Sequence, residues 1–167
     1  PHPPPPPPPP FFFFYYNYNI YIFIFLFFFF IIFLFFISFF KRYVGSKYKA
    51  LNSSAYERLH DLMIQSFDKG IGSIEIVSMG KQSLCMTFVI DFGETRYYIK
   101  GAATEEGRKS GAMTHLLDRL IKEAHGKGLK NFDFVGSNNE NLMSFNKKFG
   151  AINRTYDILQ NLSLIHI

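Results

Sequence analysis

Apolar positions follow two regimes along the chain. From Phe11 to Phe40 they run almost without interruption, and beyond Lys41 they recur at spacings that separate helices from strands. In the second regime Tyr56, Leu59, Leu62, Met63 and Phe67 stand at helical spacing after a candidate N-cap at Asn52, Ser53 or Ser54, and Gly70 ends the run. Ser73–Met79 then alternates, with Ile74, Ile76 and Ser78 assigned to one face. Leu84–Phe92 and Arg96–Gly101 read as two more strands. The turns between them are Gly80–Lys81 and Gly93–Glu94, so the three strands are expected to form an antiparallel meander.

The pattern changes after this meander. Gly107, Arg108, Lys109, Ser110 and Gly111 read as a glycine-flanked basic loop. A long helix follows, with Leu116, Leu117, Leu120, Ile121 and Ala124 on its apolar face and Gly126 near its end. Asn131–Val135 is expected to be a fourth strand. Asn139–Lys148 is expected to be a shorter helix with Leu142, Phe145 and Phe149 inward, and Arg154–Leu159 a last strand. A strand–helix–strand step after a meander predicts a mixed, mainly antiparallel sheet flanked by helices, an α+β domain with layered α/β character.

Composition sharpens the division. All 9 prolines lie within the first ten residues, and no Asp, Glu, Lys or Arg precedes Lys41. The net charge of +5 therefore belongs to residues 41–167, which suits anionic small ligands, nucleic acid or a membrane surface without choosing among them. Pro3–Pro10 would form a polyproline II rod. Phe11–Phe40 exceeds the roughly 20 residues that span a bilayer. Read as an anchor, and flanked by Lys41, Arg42, Lys47 and Lys49, it would hold the following domain in the cytoplasm. Its residue types, however, are those of AT-rich codons, and a proline run before a phenylalanine run is what a C-tract followed by a T-tract encodes. Residues 1–40 are therefore expected to be translated non-coding or misassembled sequence, with a membrane anchor as the alternative. The domain is expected over 47–162, and residues 163–167 as a foreign tail. The single cysteine, Cys85, excludes a disulfide within the chain and a cysteine-based zinc site, and the histidines do not cluster, so no metal is expected.

Chemistry concentrates at the strand-to-helix junction of Lys100–Ala112. A helix N-terminus offers unpaired amides and a positive dipole end. Gly107 and Gly111 let backbone approach a ligand, Arg108 and Lys109 add charge, and Ser110 adds a hydroxyl. Gly107–Ala112 is thus a candidate pyrophosphate cradle, although it fits neither the Walker nor the dinucleotide-binding glycine pattern.

Arg108-Lys109-Ser110-Gly111-Ala112 resembles the [QR]-x-x-G-x-[GA] loop that binds CoA pyrophosphate in GNAT acetyltransferases, with Met113 in place of the final small residue. Asn141–Ala151 resembles a later helix of the same superfamily, and the order of elements is similar. Ala103–Gly111 and Phe132–Ser137 further resemble its FemAB-like branch, whose members carry two GNAT-like halves; this chain would be the second half, its partner half missing. The resemblance implies transfer of an acyl group from acetyl-CoA or another acyl-CoA to an amine acceptor in the cytoplasm. Its alternatives are aminoacyl transfer from tRNA to a peptidoglycan precursor, or a non-catalytic half-domain. DNA is not an expected partner, and a membrane is one only if residues 11–40 are genuine. Asn146 stands where many GNAT enzymes carry a tyrosine acid, and Val135 where the branch tends to carry an acidic residue. The candidates left for proton transfer are Glu105, Asp133, Ser137 and Tyr156.

Overall fold

A computed structural model describes residues 30–45, 53–135 and 139–154. Ser137, Tyr156, the strand expected beyond Arg154, residues 1–29 and the 163–167 tail lie outside the described residues. The chain divides into two compact units, Pro1–Asp133 and Phe134–Ile167.

The first unit opens with helix α1 over residues 30–43. It continues with α2 (Ser53–Asp68), β1 (Gly72–Met79), β2 (Gln82–Phe92), β3 (Thr95–Ala103), α3 (Glu105–Lys109), α4 (Ala112–Gly126) and β4 (Asn131–Asp133). The sheet order is β1-β2-β3-β4. The first two pairings are antiparallel, as the short turns require, and β3 pairs with β4 in parallel. Only the parallel step needs a crossover, and α3 with α4 supplies it.

One side of the sheet packs on α1 and α2. Met86, Phe88, Ile90 and Ala102 meet Phe33, Phe36, Phe39 and Phe40 of α1 and Leu59 and Met63 of α2 in one buried cluster. Phe36, Met63, Met86 and Phe88 are wholly enclosed. The packed unit therefore extends upstream of Lys47, where the change in composition had set its start. Phe33, Phe36 and Phe40 recur at helical spacing, but the outward Phe30, Ile31, Leu34 and Phe35 are apolar too, so the run shows no period. Among the described residues no helix is long and apolar enough to cross a membrane.

By strand alternation the other side presents Cys85, Thr87 and Val89 to α4, whose Leu116, Leu117, Leu120 and Ala124 are buried. Arg96 anchors this side. Only 2% exposed, its guanidinium donates to both carboxylate oxygens of Asp91 at 2.6 Å and to the Leu120 carbonyl oxygen at 3.1 Å. This fork ties the C-terminal half of α4 to the hairpin between β2 and β3.

The second unit contains α5 (Glu140–Lys147), capped by Asn139, whose side-chain oxygen accepts from the Leu142 amide at 3.1 Å. Phe149 stacks near Phe134 at 5.7 Å and meets Phe145 edge-on at 5.4 Å. Leu142, expected inward, is 40% exposed.

Candidate donor site at the β3–α4 junction

The register between β2 and β3 slips by one residue. Val89 faces Tyr98 and Phe88 faces Lys100, so Ile99 is an extra residue in β3. Ile99 packs toward the α1 side, and Tyr98 and Gly101 become successive residues on the α4 side. Pairing of β3 with β4 stops one residue short of this bulge, at Tyr97↔Asp133, while β3 runs on to Ala103. Beyond that point no described strand lies against this edge of β3.

At the end of β3 the structure departs from the sequence reading. Residues expected as a basic loop form α3. Thr104 caps it, its hydroxyl accepting from the Gly107 amide at 2.9 Å. Glu105 and Glu106 occupy the first turn and Arg108 and Lys109 the last, which suits the dipole at both ends. Gly107 is buried because α3 lies tight on β2: a Cβ there would run into the Leu84 carbonyl. The same carbonyl oxygen accepts from the Thr104 amide at 2.9 Å.

The side chains of the expected cradle are engaged locally, with backbone carbonyls and with Glu105. Arg108 donates to the Ala103 carbonyl oxygen at 2.7 Å, Lys109 pairs with Glu105 at 2.8 Å, and the Ser110 hydroxyl donates to the Gly107 carbonyl oxygen at 3.3 Å. Gly111 then turns the chain with φ 71°, a left-handed conformation that suits glycine, and α4 begins at Ala112. The first backbone bond of α4 runs from the His115 amide to the Gly111 carbonyl at 3.0 Å. The amides of Ala112, Met113 and Thr114 precede it and have no carbonyl partner within the helix, the arrangement that suits a helix N-terminus to an anion.

Of the four acid–base candidates the structure describes two, Glu105 and Asp133, and it places them on different elements. Asp133 is exposed at the last paired position of β4, beside Tyr97, where β3 and β4 part. Glu105 is exposed and held by Lys109 at α3. Ser137 and Tyr156 lie outside the described residues. Asn146, in the second unit, has a buried side-chain oxygen with no hydrogen-bond partner. Cys85 is wholly buried, and burial pushes its thiol up to about 11, so it is no nucleophile at neutral pH. Sequence reasoning missed Tyr98 and Gly101, because nothing in their spacing announces a bulge. A cleft of about 250 Å³ also opens on the α1 side, between Arg42 and Tyr43 of α1 and Lys81–Ser83 at the β1–β2 turn. Among the described residues no cluster of His, Cys, Asp and Glu could hold a metal ion.

Comparison with known proteins agrees with this geometry. Residues 34–141 match the acetyltransferase (GNAT) domain, and the chain belongs to that family. Solved structures share the fold at low identity. A predicted acetyltransferase from Clostridium acetobutylicum, solved with acetyl-CoA, superposes with TM-score 0.61 at 19% identity, over 75% of this chain and 87% of that one. A possible acetyltransferase from Clostridium difficile 630 gives 0.57 at 12%, over 78% and 90%. A putative acetyl transferase from Pyrococcus furiosus gives 0.57 at 14%, over 76% and 91%. A search of curated proteins finds no match. The mixed, mainly antiparallel sheet flanked by helices is the fold expected from the sequence.

Proposed function

We propose that the chain is an N-acyltransferase that moves an acetyl group from acetyl-CoA to an amine. The observation that carries this reading is the junction at Gly111, where the stretch of β3 that runs past its pairing with β4 leads to the amides that begin α4. An extended pantetheine would pair along β3 beyond the bulge, and its pyrophosphate would meet the amides of Ala112, Met113 and Thr114. Within Gly107–Ala112 the roles divide. Gly111 and Ala112 bring backbone to the phosphate, whereas Gly107, Arg108, Lys109 and Ser110 build the platform beneath it. Acetyl-CoA is favoured over aminoacyl-tRNA as donor because a protein of the same fold was solved with it.

Asp133 is the group we assign to the amine proton. It stands where β3 and β4 separate, the place a thioester laid along β3 would reach. Acting as general base through a water, it would free the amine for attack. The carbonyl carbon then gains the nitrogen and loses the thiolate, which takes up a proton to leave as CoA. Glu105, locked to Lys109, serves α3 in this reading.

The test uses the whole chain. Acetyl-CoA at about 100 times its dissociation constant should stabilise the protein by roughly 2.7 kcal/mol, read by thermal unfolding. Asp133→Asn should keep that stabilisation and slow CoA-thiol release with a panel of primary amines by about 10²-fold or more. A folded wild-type protein with no acetyl-CoA shift would overturn the donor assignment. An unslowed Asp133→Asn would overturn the base.

A further inference from the structure

We propose that Tyr98 is a positioning residue for the donor site, holding the Met113 side chain back against the sheet so that the first turn of α4 stays open to a phosphate. The proposal rests on the reading of that turn as the donor cradle. Three observations carry it, and each depends on the one before.

The bulge at Ile99 puts Tyr98 and Gly101 next to each other on the α4 side of β3. Gly101 then provides the room: a Cβ at this position would overlap the Tyr98 hydroxyl and crowd the ring behind it. The ring can therefore lie along the strand over residue 101 instead of standing away from the sheet. Laid down in this way, the phenol reaches the first turn of α4, and its hydroxyl meets the Met113 sulfur at 3.9 Å, a long and weak hydrogen bond. Burial pushes the phenol above its ordinary range, so it stays protonated and keeps its donor throughout neutral pH.

Met113 is the position at which this sequence departs from the small final residue of the loop it resembles. A methionine in the opening turn of a helix has three rotatable bonds, and in an outward rotamer its thioether would lie across the amides of its own turn. The Tyr98 contact selects against that rotamer. Tyr98, Gly101 and Met113 thus act as one unit: the bulge orients the tyrosine, the glycine admits it, and the tyrosine turns the methionine away from the cradle.

The unit predicts a coupling that an ordinary packing contact would not produce. With Met113 in place, losing the Tyr98 side chain releases the thioether over the cradle and weakens the donor. With Met113 shortened to alanine, nothing remains to be held and the tyrosine should no longer matter.

The experiment measures CoA dissociation constants for the full chain carrying Tyr98→Leu, Tyr98→Phe, Met113→Ala and the double substitutions Tyr98→Leu/Met113→Ala and Tyr98→Phe/Met113→Ala. It also records the methyl resonances of the 5 methionines, with Met113 assigned from Met113→Ala. Tyr98→Leu should weaken CoA by about twofold to tenfold, the range a sulfur–aromatic contact supports, and Tyr98→Phe by less. Met113→Ala sets the reference for a cradle with no thioether to hold, and adding Tyr98→Leu to it should change nothing further. The Met113 methyl should report one side-chain conformation in the wild type and averaging in Tyr98→Leu. A Tyr98→Leu defect that persists undiminished in the Met113→Ala background overturns the proposal and leaves the donor site standing. So does a Met113 methyl already averaged in the wild type. If the wild-type protein binds no CoA, the donor reading falls and takes the proposal with it. Tyr98→Phe keeps the test decisive should Tyr98→Leu fail to fold, because any loss it causes must also vanish without Met113.

Discussion

The two sides of the sheet are built on different physics. The side under α1 and α2 is a field of phenylalanine: Phe33 meets Phe67 at 4.8 Å, Phe36 meets Phe88 at 6.3 Å, and the cluster buries no charge. The side under α4 uses smaller residues (Cys85, Thr87, Val89 and the leucines of α4) around the fully enclosed Arg96. Apolar burial has no direction, so the first side stabilises without fixing any atom closely. A bidentate guanidinium–carboxylate pair fixes both distance and orientation. The directional side is the one that carries the open end of α4 and the Tyr98–Met113 contact. Stability and positioning are thus divided between the faces, and each can be attacked alone.

The largest expected effect comes from the aromatic side. Phe36 is 0% exposed and touches both Phe40 and Phe88. Phe36→Ala should cost about 3–5 kcal/mol, the range for emptying a phenylalanine site in a core. The measurement is the denaturant midpoint of the full chain. A loss below about 1 kcal/mol, the size of an ordinary surface change, would mean that α1 is not part of the folding unit and would remove one half of the comparison.

Arg96→Met tests the directional side. Removing one partner of a buried pair costs about 3–5 kcal/mol. Asp91 remains 24% exposed and can regain water, so a loss nearer 2–3 kcal/mol is expected. The pH dependence makes the assignment specific. The hydrogen bond from Arg96 is the main cause that lowers the Asp91 carboxyl below its usual range, with burial opposing it. A carboxylate lowered on folding stabilises above its unfolded value, about 3.9, and loses that contribution as pH falls through the folded value. Wild type and Arg96→Met should therefore differ most above about pH 5 and converge as the solution is acidified toward pH 3. A gap that does not narrow would assign the loss to packing of the arginine stem instead of the ion pair.

How much of this was legible in the sequence follows the same division. The alternation of β1 and the apolar face of α4 could be read because polar residues separate the apolar ones: Glu75 between Ile74 and Ile76, and Asp118 and Arg119 between Leu117 and Leu120. Helix α1 could not, since Phe30 and Leu34 face outward and Phe33 and Phe36 inward, and a run of one residue type carries no phase. The signals for α3 were present in Thr104, the two acids and the two bases. Gly107 outweighed them, because a glycine in a short segment reads as a loop until the backbone of β2 is known to lie against it. The Arg96 fork and the bulge at Ile99 depend on cross-strand register, which local spacing does not encode. The glycines of the candidate phosphate loop mark the junction between β3 and α4. Its basic side chains were assigned to a ligand, although in the fold Arg108 donates to the Ala103 carbonyl oxygen and Lys109 pairs with Glu105.

The smallest predicted effect also has the opposite sign. Thr87 is 0% exposed on the directional side, and its hydroxyl has no hydrogen-bond partner. It sits in β2 between Glu75 of β1 and Gly101 of β3, where the Tyr98 ring lies over the glycine. Burying a hydroxyl without a partner costs about 1–3 kcal/mol, and valine keeps nearly the same shape without it. Thr87→Val should therefore raise stability by about 1 kcal/mol, less than the full penalty because the methyl must settle into a pocket shaped for oxygen. The denaturant midpoint reads it directly. On the aromatic side no comparable gain is expected, because Ser66, the buried polar residue of α2, donates its hydroxyl to the Met63 carbonyl oxygen at 2.9 Å. If Thr87→Val destabilises instead, the hydroxyl has a partner in solution. A bridging water on that hydroxyl would be such a partner, and the directional side would then extend one residue further across the sheet than its protein bonds alone define.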